Sequence, residues 1–297
     1  MAEGRVIPFH GAGVNFFSRP SGADWGAGKS LPSGNELSRL LAETFDYPSP
    51  NPHDVADITR VTQYVSAVAG RGALYHELQK LFDADYPIST LHDFLARLPG
   101  MLRQKGYSPR GQIILTTNYD DVLERAFDRV DEPFDLLSYS SEEQRSGMFI
   151  HHPPHGQPRV IENPNDYQEL RSNDRTVIIK VSGSVDRSHR QWDSFVITED
   201  DYIEQLITDI SSLLPVTLVA RLRRSYFLFL GHSLRSWDVR VILRRLWGDQ
   251  RLNFKSWSIQ FNPPKIDQEL WQNRGVDILN VPLEEYVEAL KEHVNNL

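Results

Sequence analysis

Short apolar runs alternate along the chain with longer amphipathic stretches. A run of three to six apolar residues is too short for a helix and predicts a buried strand, whereas apolar residues at a spacing of three to four predict one face of a helix. Predicted strands lie at 6–9, 113–115, 128–139 with flanking turns, 176–181, 226–230, 256–261 and 276–279. Amphipathic helical patterns separate most of them, so we predict an α/β fold with a mostly parallel, Rossmann-like sheet and helices on both faces.

Residues 50–108 carry only helical patterns. Apolar positions between 54 and 82 and again between 89 and 104 recur at helical spacing, with no strand signal among them. We therefore interpret 50–108 as a helical insertion between two strands of one domain that spans 1–297. The sequence also predicts a helix opened by a capping box at Ser33 and Glu36.

The stretch 112–127, QIILTTNYDDVLERAF, combines a buried strand, a polar turn and a helix. Its turn carries Asn118, Asp120 and Asp121 after Thr117. Ligands of open α/β sheets bind outside the carboxyl ends of the strands, where this turn is predicted to lie. The alternative is structural: Thr117 or Asn118 caps the helix and the aspartates complement its dipole.

Other predicted strands also end in small or polar residues. The first runs into Gly11-Ala12-Gly13, where small residues let the backbone approach a phosphate, although such a turn also occurs without a ligand. Later strands run into Ser182-Gly183, Gly231-His232-Ser233 and Phe261-Asn262. Polar ends gathered at one edge of a parallel sheet favour a nucleotide site.

Composition excludes several classes of protein. The 297 residues contain no cysteine, which removes disulfides, thiol catalysis and cysteine-ligated zinc. The net charge of −8 argues against a general electrostatic grip on nucleic acid, leaving local patches such as Arg221, Arg223, Arg224, Arg244 and Arg245. No apolar run approaches membrane-helix length and no secretory leader is evident, so we expect a cytoplasmic protein without membrane contact.

Three histidines lie together in the polar, proline-rich stretch His151-His152-Pro153-Pro154-His155. Its prolines prevent the three from sharing a helix face, and no second ligand cluster is evident nearby. We therefore expect a solvated loop and no metal site, with metal binding as the minor alternative.

Several segments, in this order, resemble motifs of the sirtuin-like family, and more narrowly of its bacterial branch that lacks the zinc module. They are Gly11-Ala12-Gly13-Val14, Thr116-Thr117-Asn118-Tyr119-Asp120, Thr198-Glu199-Asp200-Asp201-Tyr202, Leu230-Gly231-His232-Ser233-Leu234 with Trp237, Asp238 and Arg240, and Phe261-Asn262. The resemblance covers nearly the whole chain and implies NAD as substrate without zinc. It also implies NAD hydrolysis in antiphage defence, homo-oligomers, and a partner such as a HerA-like ATPase, an Argonaute-like protein or a phage component.

One position departs from the family pattern. Sirtuins carry histidine before the glycine of the motif that here is Lys180-Val181-Ser182-Gly183, and that imidazole acts as a base. A serine hydroxyl has no pKa near neutrality and cannot take this role. Three alternatives remain: an inactivated enzyme, a replacement base such as His10, His232 or His155, or a site that binds NAD without cleaving it.

The resemblance and the residues together give a hypothesis for the chemistry. Gly11, Ala12 and Gly13 would offer N–H groups to the pyrophosphate, and Asn118 would hold the ribose or the attacking water. Asp120 would bind the nicotinamide amide. The remaining predicted cofactor-binding residues are Thr117, Gly231, Ser233, Asn262 and Arg19, the last on a flap that closes over the substrate. The alternative function is a non-catalytic NAD or ADP-ribose scaffold in a defence complex.

Overall fold

The computed structural model describes residues 3–16, 19, 25, 30–107, 110–142, 144–207, 212–247 and 254–297, without the side chains of 237, 238 and 247. Nine strands among these residues form one sheet, in the order β11-β10-β9-β1-β2-β6-β3-β4-β5, and β7 and β8 form a small antiparallel pair. The strands are β1 Val6–His10, β2 Ile113–Thr116, β3 Phe134–Ser140, β4 Met148–His152, β5 Arg159–Val160, β6 Thr176–Lys180, β7 Gly183–Ser184, β8 Ser194–Phe195, β9 Tyr226–Leu230, β10 Ser256–Gln260 and β11 Val276–Asn280.

The seven strands from β11 to β3 pair in parallel, and β4 and β5 add an antiparallel edge. The described helices are α1 Gly34–Thr44, α2 Pro52–Ala56, α3 Ile58–Val68, α4 Arg71–Phe82, α5 Thr90–Gln104, α6 Val122–Arg129, α7 Glu199–Ile207, α8 Val216–Arg223, α9 Trp237–Trp247, α10 Lys265–Gln272 and α11 Leu283–Asn295. The prediction of an α/β, mostly parallel, Rossmann-like sheet is confirmed.

Helices cover both faces of the sheet because its central strands are apolar on both sides. One face packs against α8, α9 and Trp271 of α10, and the other packs against α5, α6 and α11. A third apolar cluster joins α1, α3 and α4 to Val122, Phe195 and Ile197, which lie beyond the carboxyl ends of the strands. We call α1 to α4 the helical layer.

The region 50–108 contributes to two of these clusters. Its helix α5 packs on the sheet, whereas α3 and α4 belong to the helical layer together with the earlier helix α1. That 50–108 is an insertion into one domain spanning 1–297 stays a prediction.

The helical pattern between 54 and 82 forms three helices rather than one. Asp57 accepts hydrogen bonds from Thr59 and Arg60 N–H and so caps a new helix, and Gly70 has a φ of +89° that ends α3 before α4. The capping box predicted at Ser33 is present, because its Oγ accepts from Glu36 N–H and the Glu36 carboxylate accepts from Ser33 N–H.

The expectation of a solvated histidine loop is wrong for its first two histidines. His151 and His152 lie on β4, and the His151 ring is fully buried between Asp135 and Tyr167, with hydrogen bonds of 3.0 and 2.6 Å. The signal was missed because the prolines follow the strand rather than interrupt it. No helix in the described part of the chain is long and apolar enough to cross a membrane.

Candidate functional site

A cavity of about 530 Å³ lies between the carboxyl ends of β1, β2 and β9 and the helical layer. Small-molecule sites in proteins usually measure about 300–1,000 Å³, so its size suits a ligand of that class. The predicted site residues that line it are Ala12, Gly13, Thr117, Asn118, Asp120, Gly231 and Ser233. Among its described lining residues, Asp120 alone carries a formal charge.

Two glycine turns pack backbone to backbone at one wall of the cavity. Gly231 has a φ of +70°, and a Cβ at this position would lie 2.4 Å from Val14 N. Gly11 N–H donates to Leu230 O at 2.9 Å, and Gly13 N–H donates to Gly231 O at 3.0 Å. The N–H groups of Gly11 and Gly13, which were expected to donate to a phosphate, therefore donate to backbone carbonyls. These glycines instead allow the two turns to pack closely.

The 116–120 turn forms a second wall. Asn118 N–H donates to Thr116 Oγ1 at 3.0 Å, which holds the turn so that Asn118 lines the cavity half-buried. The buried carboxylate of Asp120 accepts from Val122 N–H at 3.1 Å, at the first residue of α6. The side chain that bonds to the start of this helix is therefore Asp120, and not Thr117 or Asn118 as the structural alternative held. The other Asp120 oxygen accepts from Asn15 Nδ2 at 3.1 Å and so ties this turn to the glycine turn.

Lys180, at the end of the neighbouring strand β6, holds the 116–120 turn in place. Its side chain is fully buried, and Nζ donates to Tyr119 O at 3.1 Å, to Asp120 O at 2.5 Å and to Glu124 Oε1 at 2.6 Å. Burial raises the pKa of Glu124, and the Lys180 ammonium opposes that rise. One cation thus fixes two carbonyls of the turn and the first turn of α6.

Arg19 and Asn262 do not line the cavity. Arg19 pairs with Glu36 at the start of α1, and this hydrogen bond lowers the pKa of Glu36 to about 2. The rest of the predicted flap, 20–24 and 26–29, lies outside the described residues. Asn262 is exposed with a φ of +50°, and its N–H donates to Asn280 Oδ1 at 2.8 Å.

The acidic residues at the start of α7 act on the helix itself. Asp201 Oδ2 accepts from the N–H groups of Ile197 and Thr198, both at 3.0 Å, and its other oxygen pairs with Arg71 at 2.8 Å. This arrangement caps α7 and joins it to α4, so the carboxylate has a structural role. Tyr202, one residue later, lines the cavity.

A comparison with protein families identifies the sequence model of the SIR2-like domain, which matches residues 112–279 and so more than half of the chain. The chain belongs to the SIR2-like domain family. No curated protein sequence matches it. Membership indicates an NAD-related function. The matched part of this SIR2-like chain holds the 116–120 turn, Ser182 and the Gly231 turn, and the earlier Gly11–Gly13 segment joins it through the contacts with Gly231.

Ser182 in this SIR2-like chain is buried just beyond β6 and is not among the lining residues. Its backbone carbonyl accepts from Val196 N–H at 2.8 Å, which anchors the start of the β7–β8 pair. Its Oγ has no hydrogen-bond partner in the described part of the chain. Leaving a buried hydroxyl without a hydrogen-bond partner costs free energy.

The three histidines named above as alternatives to the sirtuin base lie in different places. His232 lines the cavity, with its ring edge-on to Phe9 at 4.7 Å between centroids. His10 is buried and does not line the cavity, and burial, with His92 and His232 nearby, lowers its pKa well below 6.5. His155 borders a separate cavity of about 670 Å³. Only His232 of these three therefore meets the first cavity.

Asn15 and Lys180 organise the site, and neither had been assigned a role. Asn15 directly follows the Gly11–Val14 segment. Its polar side chain could have been predicted to bond to Asp120 once the two turns were placed side by side. The hydrogen bonds from Lys180 to Tyr119 O and Asp120 O, which we call the Lys180 clamp, depend on the parallel pairing of β2 with β6. This pairing brings Thr116 opposite Lys180. Across the described residues, no group of three or more histidine, aspartate or glutamate side chains could hold a metal ion.

Proposed function

We propose that the cavity binds NAD and that the protein cleaves the bond between nicotinamide and ribose, with water as the acceptor. The observation that carries the proposal is that one cavity of a SIR2-like chain is lined by Asn118, by Asp120 held through Asn15, and by two interlocked glycine turns. The cavity lies outside the carboxyl ends of parallel strands, where open α/β sheets bind nucleotides.

In the reaction the bond from C1′ to the nicotinamide nitrogen breaks, and its electron pair leaves with neutral nicotinamide. Water oxygen bonds to C1′ and releases a proton to solvent, which gives ADP-ribose. The Asn118 amide would orient the water or a ribose hydroxyl, and the Asp120 carboxylate would accept a hydrogen bond from the carboxamide. Ala12 N–H and the Ser233 hydroxyl would meet the pyrophosphate, since no cation is among the described lining residues.

The test is nicotinamide release from NAD by the parent protein and by Asn118→Ala. Loss of release with an unchanged unfolding midpoint supports the assigned role, because the hydrogen bond that Asn118 makes among the described residues uses its backbone N–H. Asn295→Ala, on an exposed turn of α11, is the matched control and should retain full activity. Release by Asn118→Ala at the parent rate would remove Asn118 from the mechanism.

Ser182 favours a second candidate, an NAD-binding scaffold without turnover. Calorimetric NAD binding without nicotinamide release by the parent would support it. Nicotinamide release by Ser182→His but not by the parent would instead identify an NAD hydrolase whose base is missing. No release from either protein, with NAD binding retained, would favour the scaffold function.

The biological setting is also a proposal. We propose that the protein acts in bacterial antiphage defence by depleting NAD, as a homo-oligomer with a HerA-like ATPase or an Argonaute-like protein as partner. This step rests on the resemblance of the motifs, and NAD levels in phage-infected cells with and without Asn118→Ala would test it.

A further inference from the structure

Six adjacent strands of the sheet each begin one to three residues after a basic residue. In the spatial order β11, β10, β9, β1, β2 and β6, these are Arg274, Lys255, Arg224, Arg5, Arg110 and Arg175. All six lie at the amino ends of the strands, opposite the edge that holds the cavity. We call them the basic row.

Backbone contacts bring members of the basic row side by side. Tyr226 N–H donates to Arg5 O at 2.8 Å, and Ser256 N–H donates to Gly275 O at 2.9 Å, so neighbouring strands start in register. A Cβ at Gly4 would lie 3.3 Å from Arg110 Cβ. Since parallel strands lie about 4.8 Å apart, six of them extend the row over about 24 Å.

Helix dipoles explain only part of this arrangement. Arg224 directly follows the carboxyl end of α8, and Arg274 lies two residues beyond that of α10, where cations are favoured. Arg5 precedes the first strand, Arg110 lies six residues after α5, and Arg175 follows a loop. These three cations serve no helix terminus, although they continue the same row.

Half of the row is available to a ligand. Arg5 pairs with Glu3, Lys255 with Asp277, and Arg175 with the buried Asp135. The exposed side chains of Arg110, Arg224 and Arg274 form no ion pair within the described ranges, and Arg274 lies over the Trp271 ring.

Arg110 lies close enough to Arg221 for the two positive charges to interact. Burial and the nearby charge of Arg110 lower the pKa of Arg221, whose guanidinium donates to Gly111 O at 2.7 Å and to Ser172 O. The carboxylates beside Arg110 are Glu132, which pairs with Arg103, and Asp174.

Aromatic rings lie in the middle of the row. Tyr226 stacks on Trp257 with ring centroids 5.7 Å apart and meets Phe254 edge-on at 5.3 Å. All three are half-buried, and Phe254 directly precedes Lys255. Cations interleaved with aromatic rings are the combination by which proteins hold single-stranded nucleic acid, with phosphates on the cations and bases on the rings.

We propose that the basic row binds the backbone of single-stranded nucleic acid across the amino ends of the strands. The phosphates of an extended nucleic-acid strand form a linear series of negative charges, and a row of cations about 24 Å long can contact several of them at once. The surface is separate from the NAD cavity, and the proposal does not depend on NAD cleavage.

The experiment measures anisotropy of a fluorescent oligothymidine of about 20 nucleotides at several salt concentrations. The test variant is R110Q/R224Q/R274Q, and the control is R39Q/R60Q/K80Q, which removes the same charge from the helical layer. Each phosphate contact to a single strand contributes about −0.7 to the slope of log K against log salt. We expect the test variant to lose about 2 from the slope and about 100-fold in affinity at about 0.1 M salt, and the control to match the parent.

Three results would overturn the proposal. The first is a test variant that binds as the parent does with an equal salt slope. The second is a control variant that loses as much affinity as the test variant, which would mean a nonspecific charge effect. The third is tighter binding of duplex DNA or of polyglutamate, which would assign the row to another partner. Unfolding midpoints of both variants verify that the fold is retained.

Discussion

Replacing Lys180 by methionine should damage both stability and NAD binding, for separable reasons. The change removes the cation that neutralises buried Glu124 and the donor that holds Tyr119 O and Asp120 O. Breaking a buried ion pair by removing one partner costs about 3–5 kcal/mol. At about 2.1 cal/mol/K of unfolding entropy per residue, 297 residues give about 0.6 kcal/mol/K, so a loss of about 4 kcal/mol lowers Tm by about 6 °C.

The two effects are separated by a second substitution. Glu124→Gln removes the buried charge, so the double variant K180M/E124Q should recover about half of the lost stability. It cannot restore the two hydrogen bonds to the 119–120 backbone, so NAD affinity should remain low. Glu124→Gln alone retains an acceptor for Lys180 and should bind NAD as the parent does.

The assays are urea unfolding and calorimetric titration with NAD at pH 7.5. A cost below about 1 kcal/mol for Lys180→Met would refute the buried-pair reasoning, since that value is typical of exposed pairs. Recovery of NAD binding in the double variant would show that the clamp does not position the turn. If Glu124→Gln lost as much NAD affinity as Lys180→Met, the loss would be due to the contact with Glu124 of α6 rather than to the hydrogen bonds with the 119–120 backbone.

Two further predictions concern the turns and the buried histidines. Gly231→Ala should lower the free energy of unfolding by more than the about 1–2 kcal/mol that a non-glycine residue costs in the left-handed region, because its Cβ meets Val14 N, and NAD affinity should fall. The control Gly106→Ala, at φ +81° in open space, should cost that amount alone. Equal NAD affinity in the two variants would contradict this prediction. Burial lowers the pKa of His92 to about 4, so its stabilising contribution is lost as pH falls from its unfolded value of 6.5 towards 4. Urea unfolding between pH 7.5 and 5.5 should therefore show the parent losing about 1.3 kcal/mol more than His92→Gln, and an equal loss would exclude His92 as the cause.

Local patterns were sufficient to predict most of the sheet. Apolar strands such as β6 and β9 are buried on both sides, so their residues alone indicate parallel strands. The glycine turns and the 116–120 turn were placed together correctly because strand ends in a parallel sheet share one edge. The two-residue strand β5 and the histidines of β4 were not predicted, since edge strands with polar residues lack this signal.

The internal use of polar groups could not be predicted from sequence. That Gly11 and Gly13 donate to neighbouring carbonyls depends on how closely the Gly231 turn approaches them. The pairing of Arg19 with Glu36 likewise depends on where α1 begins in the folded chain. Such contacts depend on how the segments pack in three dimensions, and spacing along the chain carries no information about them.

The position of β1 in the sheet has a consequence for synthesis of the chain. The first strand pairs along its whole length with β9, whose residues are translated more than two hundred positions later. At about 5–20 residues per second, one edge of β1 waits roughly 10–40 s for its partner. An unpaired strand edge is a template for incorrect association, so we expect the nascent chain to require chaperone protection until β9 has left the ribosome.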